Sequence, residues 1–209
     1  MHKKLMMACM AIAAFAAFVV APSASAASLN EGAATVPVGA SITGQNVAGT
    51  ETVFTAGELT VRCTKAHIPG TVTANSNGTV AGEILAGKPV FTGTGAGEDC
   101  TSPLGDTKPT VNSKLCLHVA KGTDAGTVTG CAGASVTFSL NVTPLGITCT
   151  YSAASIGGTI TTAPNAAAVN LVKAGPALKD TGGFLCPAEG TLDMEFVLTT
   201  TGGGALTFS

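Results

Sequence analysis

The sequence predicts an all-β protein, an antiparallel β-sandwich or open barrel with two related halves and three disulfides. Period-2 alternation of apolar and polar residues dominates, turn residues recur at short intervals, and cysteines repeat at one fixed spacing. Leu59, Val61 and Cys63 alternate with Thr60, Arg62 and Thr64. Val136, Phe138, Leu140 and Val142 alternate with Ser135, Thr137, Ser139 and Asn141. Leu192, Met194, Phe196 and Leu198 alternate with Asp193, Glu195 and Thr199. Such alternation marks half-buried antiparallel strands. Ile147, Cys149 and Tyr151 repeat the inward placement of Cys63. Asn77-Gly78 lies between Thr71–Ala74 and Thr79–Leu85, and Asn-Gly accepts the positive φ of a two-residue hairpin turn. After residue 26 no segment carries a helical stripe, so many short strands with frequent turns remain.

The first residues read as a secretory signal. His2-Lys3-Lys4 is basic, Leu5 to Ala21 is apolar, and Ala24-Ser25-Ala26 is a small-residue cleavage pattern. The apolar run falls short of the roughly 20 residues that span a bilayer. Residues 1–26 are therefore expected to be removed, Cys9 with them, and no second apolar span follows. The mature chain of 183 residues is long enough for one sizeable core. Without Lys3 and Lys4, eight Lys and Arg face twelve Asp and Glu, a net charge of −4. No basic face is available for nucleic acid or an anionic membrane. Only 11% of the chain is charged, against a usual value of about 25%, and Ala, Gly, Thr and Val take up the difference.

Six cysteines remain after cleavage: Cys63, Cys100, Cys116, Cys131, Cys149 and Cys186. In an exported chain an even number reads as disulfides. Cys63 to Cys100 and Cys149 to Cys186 are each separated by 37 residues. Both first cysteines are followed by Thr. Gly70-Thr71-Val72-Thr73 echoes Gly158-Thr159-Ile160-Thr161, and Gly39-Ala40-Ser41-Ile42-Thr43 echoes Gly133-Ala134-Ser135-Val136-Thr137. One β-rich region, 27–209, is expected, with half-repeats at about 39–125 and 133–209. The pairing that follows is Cys63–Cys100, Cys149–Cys186 and, across a surface hairpin of Leu115–Ala120 with Gly126–Cys131, Cys116–Cys131. Cys116 shares the polar face of its strand with His118. With few aromatics, the core is expected to be Val, Leu, Ile and the cystines.

Residues 27–50 hold one charge, Glu31, and read as a first strand or as an arm that pairs elsewhere. Ala205–Ser209, after Gly202-Gly203-Gly204, reads as a last strand.

Motifs that could carry chemistry reduce to structure. Gly82-Glu83-Ile84-Leu85-Ala86-Gly87-Lys88 nearly matches a phosphate loop, but Pro89 stands where a Ser or Thr would hold Mg²⁺ and start a helix. His67 and His118 have no nucleophile elbow to serve, and the cysteines are taken up as cystines. No clustered His and carboxylate spacing suggests a metal. Glu98, Asp99 and Asp106 lie in a Gly-rich loop without the spacing of a Ca²⁺ loop. Glu58, Asp193 and Glu195 would form a glycosidase pair only if the fold brought them together. The sequons Asn77-Gly78-Thr79 and Asn141-Val142-Thr143 are incidental behind a bacterial-type signal. No catalytic, cofactor-binding or metal-binding residue is expected.

Cys63-Thr64, Gly70-Thr71-Val72-Thr73, Phe91-Thr92-Gly93 and Cys100 resemble small secreted bacterial β-proteins of unknown activity. The layout also resembles the family called protein activator of alkane oxidation. The resemblance implies an extracellular, non-enzymatic protein linked to biofilm matrix or hydrophobic growth substrates. A Pro-Trp pair of that layout is missing after the second cysteine, where Lys114-Leu115-Cys116 stands, so no functional residue is transferred. The reading is a secreted or cell-surface protein without catalysis, serving structure, matrix or adhesion, with self-association or surface components as partners. The alternatives are a pilin-like subunit that donates residues 27–50, with near-terminal Phe208 as a weaker pointer, and an extracellular module for an apolar small molecule.

Overall fold

The computed structural model describes residues 28–94, 98–119, 125–163, 166–172, 178–180 and 185–209. The signal-like segment 1–26 and the connection 120–124 lie outside them. The described residues form eighteen strands, no α-helix and two single-turn 3-10 segments, Cys131–Gly133 and Thr143–Leu145. In the first half of the chain the strands are β1 (Leu29–Glu31), β2 (Ala34–Thr35), β3 (Ser41–Asn46), β4 (Thr52–Ala56), β5 (Leu59–Cys63), β6 (Lys65–Ser76), β7 (Thr79–Ile84), β8 (Val90–Thr92), β9 (Thr107–Val111) and β10 (Leu115–Val119). In the second they are β11 (Ala125–Gly130), β12 (Val136–Val142), β13 (Ile147–Ala153), β14 (Ser155–Ala163), β15 (Ala166–Val172), β16 (Leu178–Asp180), β17 (Glu189–Thr200) and β18 (Leu206–Phe208). All pairings are antiparallel.

Two ladders organise the chain. The first runs β3-β6-β7-β10-β11-β14-β15-β17. β17 then pairs with β3, so the ladder returns on itself. The second runs from β4 to β5, crosses the bridges Arg62–Thr101 and Cys100–Thr107 to β9, and continues through β12, β13 and β16. It reaches the first residues of β17, which pair with β4. The long strand β17 thus belongs to both ladders: Thr191–Asp193 pair with β4 and Phe196–Thr200 with β3. Curling a sheet until its ends meet removes the unpaired edges that invite aggregation.

The pairing order of the strands has an internal echo. In the first ladder β3-β6-β7-β10 is matched by β11-β14-β15-β17. In the second, β4-β5-bridge-β9 is matched by β12-β13-β16-β17. Cys63 and Cys149 fall on corresponding strands, β5 and β13. The echo of Gly39–Thr43 in Gly133–Thr137 is displaced by one strand, because Ile42 lies on β3 and Val136 on β12, whereas β3 corresponds to β11. In a Gly/Thr-rich chain, short alternating strands resemble their neighbours as closely as strands at matching places in the pairing order.

The disulfides join Cys63–Cys100, Cys116–Cys131 and Cys149–Cys186. Cys63, Cys100 and Cys149 are buried, while Cys116, Cys131 and Cys186 are half-buried. The surface hairpin has a different register from the one expected. Cys116 pairs with Thr129 and Leu115 with Gly130, so Cys131 lies just past the end of β11. The left-handed φ of 58° at Ala132 turns the chain there, and the Cys131 N–H donates to the Lys114 carbonyl. The sulfur reaches Cys116 from the strand end.

Asn77 and Gly78 both take positive φ, 53° and 79°, and close the β6–β7 hairpin as their sequence predicts. Residues 28–46 do not stand off as an arm. β1 pairs with β18 and with β2, and β3 sits between β6 and β17. The buried Asn75 side chain holds this segment. Its Oδ1 accepts from the Leu29 N–H at 2.9 Å, and its Nδ2 donates to the carbonyls of Leu29 and Val36 at 2.7 and 2.8 Å. The sheet β18-β1-β2 covers the region where β14, β15 and β17 meet, with Leu29, Val36, Leu206 and Phe208 buried beneath it.

The core is aliphatic around its edge but aromatic at its centre. Phe54, Phe138 and Tyr151 pack with ring centroids 4.8 to 5.8 Å apart, the range for favourable edge and offset contacts. The expectation of a core of Val, Leu, Ile and cystines missed this cluster. The aromatics are few, but β4, β12 and β13 each turn one inward at the same level.

Candidate functional site

The polar residues singled out from the sequence do not converge. His67 on β6 is level with Gln45 and Val90, while His118 on β10 is level with Ala81 and Thr127. They occupy opposite ends of strands separated by β7. Gly82–Ile84 ends β7, and Leu85–Lys88 is an exposed turn in which Gly87 has a φ of 67°. A strand running into a turn and another strand offers no helix N-terminus for phosphate. Asp99 accepts a hydrogen bond from the Thr143 hydroxyl at 3.2 Å, and the Asp106 carbonyl accepts the Thr143 N–H. These contacts pin the loop against the 3-10 turn at Thr143–Leu145. Glu58 is in the β4–β5 turn, whereas Asp193 lies opposite Val53 near the other end of that hairpin.

Among the described residues one set of three metal-type ligand atoms comes together, from Glu83, Cys116 and Cys131. Both sulfurs are committed to a disulfide. The Glu83 carboxylate is held by Lys114 at 2.7 Å. The cluster is a surface brace in this oxidised form.

One feature with binding geometry is internal. A cavity of about 140 Å³ lies between the two ladders. Its walls come from inward rows of both: Ile42 and Gly44 on β3, Ile68 and Gly70 on β6, Leu115 and Leu117 on β10, and Phe196 and Leu198 on β17. The second ladder contributes Phe54, Val61, Phe138, Leu140 and Leu192. Each position follows from the two-residue period, which sends alternate side chains inward along every strand. Half-buried lining residues Ile84, Phe91 and Pro109 border the Leu85–Pro89 turn, which is tied to β9 by Gly87 N–H to Val111 O at 2.8 Å.

Polar groups in the wall are already occupied or turned away. The Thr52 hydroxyl donates to Asn46 Oδ1 at 3.3 Å. Glu83 lies between inward Gly82 and Ile84, so its carboxylate is directed out to Lys114. Thr110 pairs with Ser139, which alternates with inward Phe138 and Leu140.

Comparison with protein-family models, curated proteins and solved structures returns no match.

Sequence reasoning did not locate this cavity. A shortage of aromatics counts against a ligand pocket, since such pockets are usually lined by them. Yet Phe54, Phe91, Phe138 and Phe196, four of the six phenylalanines after residue 26, border the space. A usable signal was present: Gly44, Gly70 and Gly82 occupy inward positions of otherwise apolar rows. Glycine inside a strand weakens it and often marks a place that another group approaches closely.

Proposed function

We propose that the chain is an exported, non-catalytic binding protein that holds an apolar small molecule between its two strand ladders. The cavity carries this reading. It is central, it is lined almost wholly by carbon, and ligand pockets are concave, mostly apolar and largely pre-formed. The signal-like segment at residues 1–26 and the three cystines support placement in an oxidising compartment outside the cytoplasm. No described helix is long and apolar enough to cross a membrane.

Xenon provides the first test, since apolar cavities of this size take it up. The shift of dissolved ¹²⁹Xe should depend on protein concentration, and methyl signals of Leu117 and Val128 should move with xenon pressure. If neither occurs, the interior is not a binding space and the proposal fails.

A second reading, a structural, matrix or adhesion protein, is favoured by a different observation. Both ladders return on themselves and are cross-linked, which suits a durable scaffold. Loss of surface attachment or matrix cohesion in cells lacking the chain, restored by the Gly44→Val variant, would favour it over ligand binding. The pilin-like reading needs an unfilled strand position and a free donor. The described strands fill their ladders and residues 28–46 pair within the chain, so it is not the reading proposed.

A further inference from the structure

We infer that the ligand is an unsubstituted hydrocarbon about the size of one six-membered ring, and that Gly44 sets this limit. The inference rests on the binding reading above and narrows it.

Size comes first. Cavities of about 150 Å³ lined by Leu, Ile and Phe stay dry and accommodate benzene or xenon, and the space here is about 140 Å³. A long acyl chain does not fit within it.

Polarity comes second. The hydroxyl of Thr52 is engaged by Asn46, and Glu83 is directed outward to Lys114. A ligand hydroxyl or carboxylate in the cavity would leave its hydrogen bonds to water without replacement. Burying such a group unpaired is strongly unfavourable, and more so when it is charged. The wall therefore selects against alcohols and acids of the same carbon skeleton.

Gly44 is the third observation. Among the strand glycines of the wall, Gly44, Gly70 and Gly82, none has positive φ. Backbone conformation therefore does not demand glycine at these positions. At Gly70 and Gly82 an added Cβ would press on a neighbouring carbonyl oxygen, at 3.1 and 3.3 Å. Close strand approach accounts for those two. At Gly44 the nearest atoms would be Leu198 Cδ2 at 3.6 Å and Ile68 Cβ at 3.7 Å, ordinary contacts. A side chain is sterically acceptable there, and strand propensity favours one. Gly44 faces inward beside Ile42, between Leu198 and Ile68 in register. Its missing side chain is space in the cavity.

The experiment uses the full disulfide-bonded chain. Benzene, cyclohexane, phenol, hexanoate and decane are titrated while methyl resonances of the wall and the thermal midpoint are followed. Benzene and cyclohexane should bind, with phenol, hexanoate and decane at least tenfold weaker. Gly44→Val should weaken benzene binding at least tenfold, and Gly44→Ala by less, while both keep or raise the thermal midpoint. If no probe binds and xenon is also silent, the binding reading itself fails. If xenon binds but hexanoate or decane matches or exceeds benzene, the ligand class is wrong while the binding reading stands. Unchanged benzene affinity in Gly44→Val would remove Gly44 from its size-setting role. Should Gly44→Val not fold, Gly44→Ala decides: a thermal midpoint at or above that of the parent with unchanged affinity overturns the role.

Discussion

Asn75 is the residue whose replacement tests the architecture most directly. Its amide bonds to three backbone groups of the first described residues, the N–H and C=O of Leu29 and the C=O of Val36. Leu29 and Val36 are 1% and 3% exposed, so water does not easily take over. Replacing Asn75 with Ala does not orphan all three groups. The Leu29 carbonyl keeps the Val36 N–H at 2.9 Å. The Leu29 N–H and the Val36 carbonyl are left without the amide. A buried group stripped of its partner costs roughly 1–3 kcal/mol, so the pair predicts a loss of about 2–6 kcal/mol. That is a substantial share of a typical folding free energy of about 5–15 kcal/mol. Guanidinium denaturation of the disulfide-intact chain should show a lower midpoint with an unchanged slope. If residues 28–36 instead detach locally, the midpoint will move less, but the Leu29 amide should exchange far faster than in the parent. A variant with stability within about 0.5 kcal/mol of the parent and unchanged Leu29 protection would refute this account of the clamp.

Four further predictions concern the cystines, a crowded glycine and a turn. Mild dithiol should reduce Cys116–Cys131 before Cys63–Cys100, because only the latter has both cysteines buried; timed alkylation and peptide mapping checks the order, and the reverse order contradicts it. Removing the 15-residue bridge by double Ser substitution should cost at most about 3 kcal/mol, against about 4 kcal/mol or more for Cys63–Cys100, whose loop is longer and whose sulfurs are buried. Gly190→Ala should destabilise by about 1–3 kcal/mol, since its Cβ would collide with the ring of Phe54, which Phe138 and Tyr151 hold in place; an unchanged thermal midpoint would show that the aromatic cluster yields. Gly78→Ala places a Cβ at a φ of 79° and should cost roughly 1–2 kcal/mol, read from the same denaturation curves.

The sequence by itself determined the strands, the disulfide pairing and the absence of a helical layer. These are local or counting properties. Alternation fixes which side chains share a face, Asn77-Gly78 fixes a hairpin, and equal 37-residue spacings pick two bridges and leave the third. Other features required the tertiary structure, because they depend on which strands become neighbours. The two ladders return on themselves only because β17 is long enough to belong to both. Cys131 meets Cys116 from beyond its strand end because Ala132 bends the chain, a register that symmetric counting across the hairpin does not reveal. The phenylalanines are scattered in sequence from Phe54 to Phe196, yet four of them border one cavity once the ladders face each other. Gly44 reads as an interruption in an apolar row, and its meaning depends on Leu198 and Ile68 across the neighbouring strands. Long-range packing decides whether a missing side chain is filled by a neighbour or left as space, and here it leaves the cavity.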